Sequence, residues 1–510
     1  VTRILPIGQI VLNQIESKSR VVLGWKLWAL IFVIATLFYG LTAQRGVAWQ
    51  DSGGFLWRAM HGEFIQGVSL CRSNPTYVAI GWVVLKVSGN NLALFHAFSG
   101  LAAGLALANL AAVGVLLTNR RTVTLIAVTA LGLSHTFWWL ATITETYTLT
   151  IALLTLNLYL LVKFDQTSQR RFFYALVFIN GLGVSVHNFA LLPIPFYFVY
   201  FLFMTRDKKL RLADWPIAAV IWIAAASPLI SIAIYKAITQ NIPPLALLQD
   251  VLTGPYNTYV FNLHVVSRFI LPNAALTTLN GINLLWIPAA VGVWVLIRKS
   301  TYNRKLSWAL LGITMIEIIF FARYFVPDQC LFVLPSMVMI TLLGCIGLGQ
   351  IVCWGKAGKI ACGVLLLFGL LQIPMYMGIN KVLKTTSYAN RKVSSDRDEI
   401  RYWIIPWKHN EKSAENWATA VMNNVPEGST IYIDTTTKHA LKLKNYLNPS
   451  VKVVRSKLDY EEIRNHPDKV FFVYGYRPKL PAPWVVEQIS PSIKLFQAKK
   501  SAKPDADKSL

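Results

Sequence analysis

The chain is dominated by apolar stretches of up to 27 residues, and a helix needs about 20 to cross a hydrocarbon layer roughly 30 Å thick. They fall at 21–43, 92–118, 123–140, 147–162, 172–186, 189–204, 215–235, 282–297, 306–322, 331–353 and 360–379, which predicts about eleven spans. Within hydrocarbon a backbone N–H or C=O has no water to bond, so only helices or closed barrels cross, and runs of this length select helices. Composition agrees: 55% hydrophobic and 14% charged residues with a mean hydropathy of +0.47 exclude a soluble globular enzyme, a disordered chain and a coiled coil. Lys18 and Arg20 precede the first run, which is longer than a signal-peptide core and reads as an uncleaved span. Of the five cysteines, Cys330, Cys345, Cys353 and Cys362 lie in or beside apolar runs and Cys71 lies in a polar loop. That pattern predicts neither a disulfide framework nor a metal site.

The net charge of +25 would suggest a nucleic-acid partner on a soluble domain. Its distribution gives a different reading. With the N-terminus in the cytoplasm, Arg120, Arg121, Lys163, Arg170, Arg171, Arg206, Lys208, Lys209, Arg211, Arg298, Lys299, Arg304, Lys305, Lys356 and Lys359 all fall at cytoplasmic turns, joined by Arg3, Lys18, Arg20 and Lys26. Only Arg45, Arg58, Arg72, Lys86, Lys236, Arg268 and Arg323 fall outside before the tail, so the basic charge follows the positive-inside rule and no nucleic acid is expected. The apolar segment Pro75 to Val87 is too short to cross and is expected to lie in the outer interface.

Three regions follow: a transmembrane domain over 1–380 with a long first outer loop at 44–91, an extracytoplasmic α/β domain over 381–497, and a Lys-rich disordered tail over 498–510. Strands are predicted at 430–433, 451–454 and 470–474, alternating with helices at 411–424, 438–446 and 460–465, which implies a small parallel sheet. The spans show no internal repeat, which disfavours inverted-repeat transporters.

Acids are scarce in the membrane part, and most of those away from the cytoplasmic ends collect on the outer face. Asp51, in Trp49-Gln50-Asp51-Ser52-Gly53-Gly54, is a candidate general base facing a lipid-linked substrate; the local alternative is a helix cap at Asp51 or Ser52. Glu145, beside Tyr147, sits at the outer junction of two spans, where an acid is costly unless paired or hydrated. His187 and Asn188 mark the next outer junction, with a plain polar turn as the alternative. Asp328 and Arg323 mark another, and Arg323 either meets a phosphate or snorkels. Glu317 lies within a span and is expected to pair with a neighbouring helix.

Several of these segments resemble one family when taken together in order. They are Trp49-Gln50-Asp51-Ser52-Gly53, Phe137-Trp138 with Glu145-Thr146-Tyr147-Thr148-Leu149, Gly181-Leu182-Gly183 with His187-Asn188, and Val326-Pro327-Asp328-Gln329 with Phe332-Val333-Leu334-Pro335. The chain resembles the GT-C membrane glycosyltransferases that include an endoplasmic-reticulum O-mannosyltransferase of receptor ectodomains. The resemblance implies a GT-C-like polytopic fold, a polyprenyl-phosphate-linked sugar as donor and an acidic base in the first outer loop, carried here by Asp51. Two positions depart from the family pattern. Gly54 stands where the family usually has an acid, and Cys71-Arg72-Ser73-Asn74-Pro75 replaces a His-Pro-Pro-Gly turn.

The expected function is transfer of a sugar from a polyprenyl phosphate to a protein or glycan acceptor outside the cytoplasm. Arg58, Arg72 or Arg323 would meet the departing phosphate. Ser52, Glu145, Tyr147, His187, Asn188 and Asp328 would line the substrate site. No bound cofactor and no metal ligand set is expected; the lipid-linked sugar is a substrate, and membrane lipid is a partner. The absence of any Asn-x-Ser/Thr site with x other than Pro points to a bacterial inner membrane with the C-terminal domain in the periplasm. A transporter or a non-catalytic membrane scaffold is the alternative.

Overall fold

The computed structural model describes residues 23–65, 69–260, 267–299, 302–326, 328–387, 397–434, 437–447, 449–454, 458–473, 480, 484–490 and 493–500. Arg3, Lys18, Arg20, Pro327, Tyr474 and the segment 501–510 lie outside the described residues.

The membrane part begins with α1 (Trp25–Thr42) and leads into a segment at the end of the bundle expected to face outward, made of α2 (Gln50–His61), a 3-10 turn (Leu70–Arg72) and α3 (Pro75–Val87). It continues with α4 (Leu92–Thr118), α5 (Arg121–Gly132), α6 (His135–Ala141), α7 (Tyr147–Thr167), α8 (Arg170–Val186), α9 (Ile194–Arg206) and α10 (Asp214–Gln240). A second outer segment holds α11 (Pro244–Leu252), and α12 (Ser267–Gly281), α13 (Trp286–Arg298), α14 (Arg304–Arg323), α15 (Leu334–Ile351) and α16 (Lys356–Leu383) complete it.

Burial sorts these helices into a centre and a rim. The span windows in Leu92–Thr118, Tyr147–Thr167 and Gln329–Trp354 are 83%, 78% and 89% buried, against 11% for Trp25–Thr42 and 28% for both Asp214–Gln240 and Lys356–Leu383. Lipid is as apolar as a leucine side chain, so the central contacts depend on close backbone approach. Gly347 of α15 shows it, since a Cβ there would collide with the Pro288 carbonyl of α13.

The span count differs from the expected eleven. Among the described residues eight helices are long and apolar enough to cross, and ten if two bent pairs each count once: Arg121–Gly132 with His135–Ala141 at 68°, and Phe269–Gly281 with Trp286–Arg298 at 77°. The difference is α8, whose 17 residues fall short of the span length. It returns the chain from the end of α7 to His187, packed between α7 and α10.

Basic residues gather at one end of the bundle and are knitted there. Lys299 donates to Gln350 at 2.6 Å, Arg170 pairs with Asp214 at 3.3 Å, Lys305 pairs with Asp207, and Tyr302 donates to the Leu117 carbonyl at 2.8 Å. The other end carries the outer segments and the C-terminal domain.

That domain holds α17 (Glu399–Ile404), α18 (Ser413–Asn423), β1 (Thr430–Tyr432), α19 (Lys438–Leu447), β2 (Lys452–Val454), α20 (Tyr460–Asn465), β3 (Val470–Phe472), β4 (Trp484–Ser490) and β5 (Leu495–Lys500). The sheet order is β2-β1-β3-β5-β4. β1 pairs in parallel with β2 and β3, as the alternation of strands and helices predicts. β5 is antiparallel to β3 and β4, and Ala498 to Lys500 end β5, which corrects the expectation of disorder from 498.

The domain is seated on the membrane part. Trp139 stacks on Trp403 at 5.4 Å and donates to the Tyr402 carbonyl at 3.1 Å. Thr142 donates to the Pro406 carbonyl at 2.8 Å, the Lys408 amide donates to the Thr42 carbonyl at 2.7 Å, and Trp49 donates to Ser413 at 2.9 Å with its ring 5.4 Å from Trp417.

The length of α3, about 20 Å at 1.5 Å per residue, is too short for a crossing. Cysteines placed at Lys86 and Arg120 are therefore expected to label from opposite sides of the membrane, because α4 is the crossing between them. Labelling of both from one side would make α3 a span and reverse the orientation of everything after it.

Candidate functional site

One cavity of about 670 Å³ opens between the first outer segment, the outer ends of α7, α8, α14 and α15, and α19. It forms because α2 shows one stripe to it: Asp51, Gly54, Phe55 and Arg58 recur at the three- and four-residue spacing that keeps side chains on one helical face. The residue before the helix is Trp49, with no side-chain cap, so neither Asp51 nor Ser52 is the cap that local sequence allowed. Asp51 sits in the first turn, where the partial positive charge of the helix N-terminus favours a carboxylate.

Asp51 Oδ1 accepts from Arg72 Nη2 at 2.9 Å, and both side chains keep access to the cavity, at 62% and 32% exposure. Arg72 is aimed by the turn that carries it. Asp250 accepts from the Ser69 hydroxyl at 2.6 Å and the Leu70 amide at 3.3 Å, and Lys236 neutralises it at 2.9 Å.

Glu145 lies deeper and is buried, accepting from Ser52 Oγ at 3.2 Å. Burial first, then the charges of Asp51 and Asp328, push its pKa well above the ordinary carboxylate value. The shift favours the neutral carboxyl, the form that can donate a hydrogen bond. Asp328 is pushed up to about 6 by burial and then by Asp51, with Arg72 opposing. His187 is lowered to about 4 by burial, so the ring is neutral, and its Nδ1 accepts from the Phe189 amide at 3.2 Å. Tyr147 lines the cavity between the rings of His187 and Phe332, at 5.3 and 5.7 Å.

Three of the residues chosen from sequence do other work. Arg58 borders the cavity, but its guanidinium is spent on backbone carbonyls: Glu63 at 3.0 Å, Phe64 and Arg72 at 3.1 Å each, and Ser73. It is a strut that shapes the loop before α3 and does not reach for phosphate, while burial lowers its pKa only to about 10 and leaves it charged. Asn188 donates to the Val251 and Leu252 carbonyls at 2.8 and 2.9 Å and so ties the end of α8 to α11. Arg323, the last residue of α14, lies 5.7 Å from the Phe325 ring and does not line the cavity.

Sequence reasoning missed Tyr256, Tyr324, Lys438 and His439, all of which line the cavity. The signal for the last two was the Gly53-Gly54 pair, since glycines inside a helix mark a close approach. Among the described residues no group of three or more His, Cys, Asp or Glu side chains gathers as a metal site.

With this geometry in place, comparison with known proteins is informative. A family model described as the Protein O-mannosyl-transferase TMEM260 N-terminal domain matches residues 93–211, the segment that holds Glu145, Tyr147, His187 and Asn188. The fold is similar to that of ArnT from Cupriavidus metallidurans bound to undecaprenyl phosphate, with a TM-score of 0.58 and 12% identity over 92% of this chain and 98% of that one. ArnT from the same organism in the apo state gives a TM-score of 0.56 and 13% identity over 92% and 97%. No curated protein matches. The chain is a multi-pass membrane protein whose fold is similar to that of ArnT. Over residues 93–211 it is similar to the protein O-mannosyl-transferase family, the resemblance that its sequence motifs carry.

Two outcomes follow from the site. Arg58→Gln should unsatisfy buried carbonyls and cost on the order of 3 kcal/mol, read as a lower melting temperature and faster proteolysis between residues 62 and 73. Asp328 binds its proton more tightly folded than unfolded, so the stability it contributes is full below about pH 4 and is lost as pH rises through about 6. Melting temperatures across that window should fall more steeply for the wild type than for Asp328→Asn.

Proposed function

We propose that the protein transfers a sugar from a polyprenyl-phosphate carrier to a hydroxyl of a protein or glycan acceptor at the extracytoplasmic face of a bacterial inner membrane. In this reading the N-terminus is cytoplasmic and the C-terminal domain periplasmic. The observation that carries the proposal is the composition of the cavity. Its membrane-side wall is apolar, with Leu191, Leu192, Phe320 and Phe332, while its water-side wall holds Asp51, Glu63, Arg72 and Lys438. An amphiphile with an isoprenoid tail and a phosphosugar head fits such a two-sided space, and the similar ArnT structure holds undecaprenyl phosphate. The orientation is supported by the basic residues at the opposite end of the bundle.

In the proposed reaction the acceptor hydroxyl attacks the anomeric carbon, the bond from that carbon to the phosphate oxygen breaks, and Asp51 takes the hydroxyl proton. Arg72 is already bonded to Asp51. When Asp51 is neutralised by the proton, negative charge appears on the departing phosphate, and the same guanidinium can serve it with a second N–H. Glu145, protonated, donates a hydrogen bond to the sugar, and Asp328 and Tyr147 complete its berth. The carrier phosphate supplies the activation, so the lipid-linked sugar enters as a substrate and the proposal includes no bound cofactor.

Loss of a general base costs about 10² to 10⁴ in rate, so Asp51→Asn should lower transfer by that factor. Its exposed side chain predicts an unchanged melting temperature. Transfer at the wild-type rate by a folded Asp51→Asn protein would remove the assignment. Mass spectrometry of the lipid that co-purifies with the protein tests the donor class directly.

A further inference from the structure

The water-side wall of the cavity is not built by the first outer loop alone. Helix α19 of the C-terminal domain packs on α2 and brings Lys438 and His439 into the lining. The consecutive glycines at 53 and 54 permit this, at a cost of about 1 kcal/mol each relative to alanine in a helix interior. At Gly53 a Cβ would strike the Ala48 carbonyl and lie 3.0 Å from the His439 Cβ. At Gly54 a Cβ would stand 3.4 Å from His439 Nε2 and 3.5 Å from Cδ2, which is ordinary contact. An alanine fits there, whereas a longer side chain has to take the place of the imidazole. Gly54 is one helical turn from Asp51 on the same stripe, so the His439 ring occupies the space beside the proposed base.

The rest of the lining decides which substrate meets that ring. A lipid-linked donor is held by its tail among the apolar ends of the membrane helices. The water-borne acceptor has only the other wall to approach, and that wall is α2 with α19. We propose that His439 is a positioning residue for the acceptor. The imidazole exchanges a hydrogen bond with the incoming hydroxyl group or the polar group beside it while Asp51 takes the proton, so acceptor choice resides partly in the C-terminal domain. This rests on the transferase reading above.

The test uses full-length protein in lipid nanodiscs, with undecaprenyl-phosphate mannose as donor and a threonine-containing peptide as acceptor probe. His439→Ala should raise the acceptor KM about tenfold while leaving the donor KM, the melting temperature and the slow hydrolysis of donor by water unchanged. His439→Gln, which keeps a hydrogen-bonding group, should recover part of the loss. Gly54→Glu should reproduce the acceptor defect by displacing the ring, and Gly54→Ala should not. An unchanged acceptor KM in His439→Ala would overturn the proposal. So would acceptor and donor KM rising together with a lowered melting temperature, the mark of packing alone. A wild-type protein that neither transfers nor hydrolyses the donor would remove the transferase reading itself, and the role of His439 with it, before any variant is compared.

Discussion

Hydrocarbon cannot satisfy a backbone hydrogen bond, and this single constraint arranges the rest of the molecule. A peptide group left unpaired in lipid costs several kcal/mol, so irregular chain is driven to the two ends of the bundle. One end is occupied by Lys and Arg that secure orientation. The other is where the chain is free to be irregular, and the segments 43–49, 62–65, 69–74, 142–146, 187–193, 324–326 and 328–333 meet there. The cavity is a consequence of that sorting: Glu145, His187 and Asp328 all sit at helix ends, and Asp51 opens a short helix that never enters the membrane.

Such a collection of ends is not rigid by itself, and the C-terminal domain supplies what is missing. Its seam with the membrane part centres on Lys408, whose ammonium is buried, donates to the Tyr402 and Ile405 carbonyls and lies 4.6 Å from the Tyr402 ring. Burial lowers its pKa to about 7, and the carbonyls and aromatic faces that replace its water favour the charged form against that cost. Trp138, Trp139, Trp403 and Trp407 close around the same seam. The order of dependence is clear: the seam fixes α18 and α19, α19 fixes the wall beside Gly54, and that wall completes the site.

Much of this was legible in the sequence, because apolar run length and charge asymmetry are direct readouts of the hydrocarbon constraint. They placed most of the spans and the convergence of Asp51, Glu145, His187 and Asp328 at one end of the bundle. What stayed hidden was whatever depends on direction or distance along the chain. Arg58 reads as a phosphate ligand by type, yet burial turns it inward to four carbonyls, and Arg323 has the right position along the chain but is not among the residues that line the cavity. Lys438 and His439 come from a domain whose docking leaves only the Gly53-Gly54 pair as its mark in the sequence. β4 is an exposed edge strand and β5 ends in Lys499 and Lys500, and no helix separates them, so they lack the alternation of strand and helix that revealed the first three strands.

The short α8 has a consequence for the lipid around it. Seventeen residues at 1.5 Å each span about 26 Å, less than a typical hydrocarbon layer of about 30 Å, and Phe178 on this helix is 46% exposed. A bilayer meets such a mismatch by thinning locally. Headgroups beside α8 would then sink toward His187 and Asn188, at the mouth of the cavity. In the proposed reaction the depth at which a carrier phosphate floats would then be part of the geometry, and turnover would respond to membrane thickness even when no atom of the protein has moved.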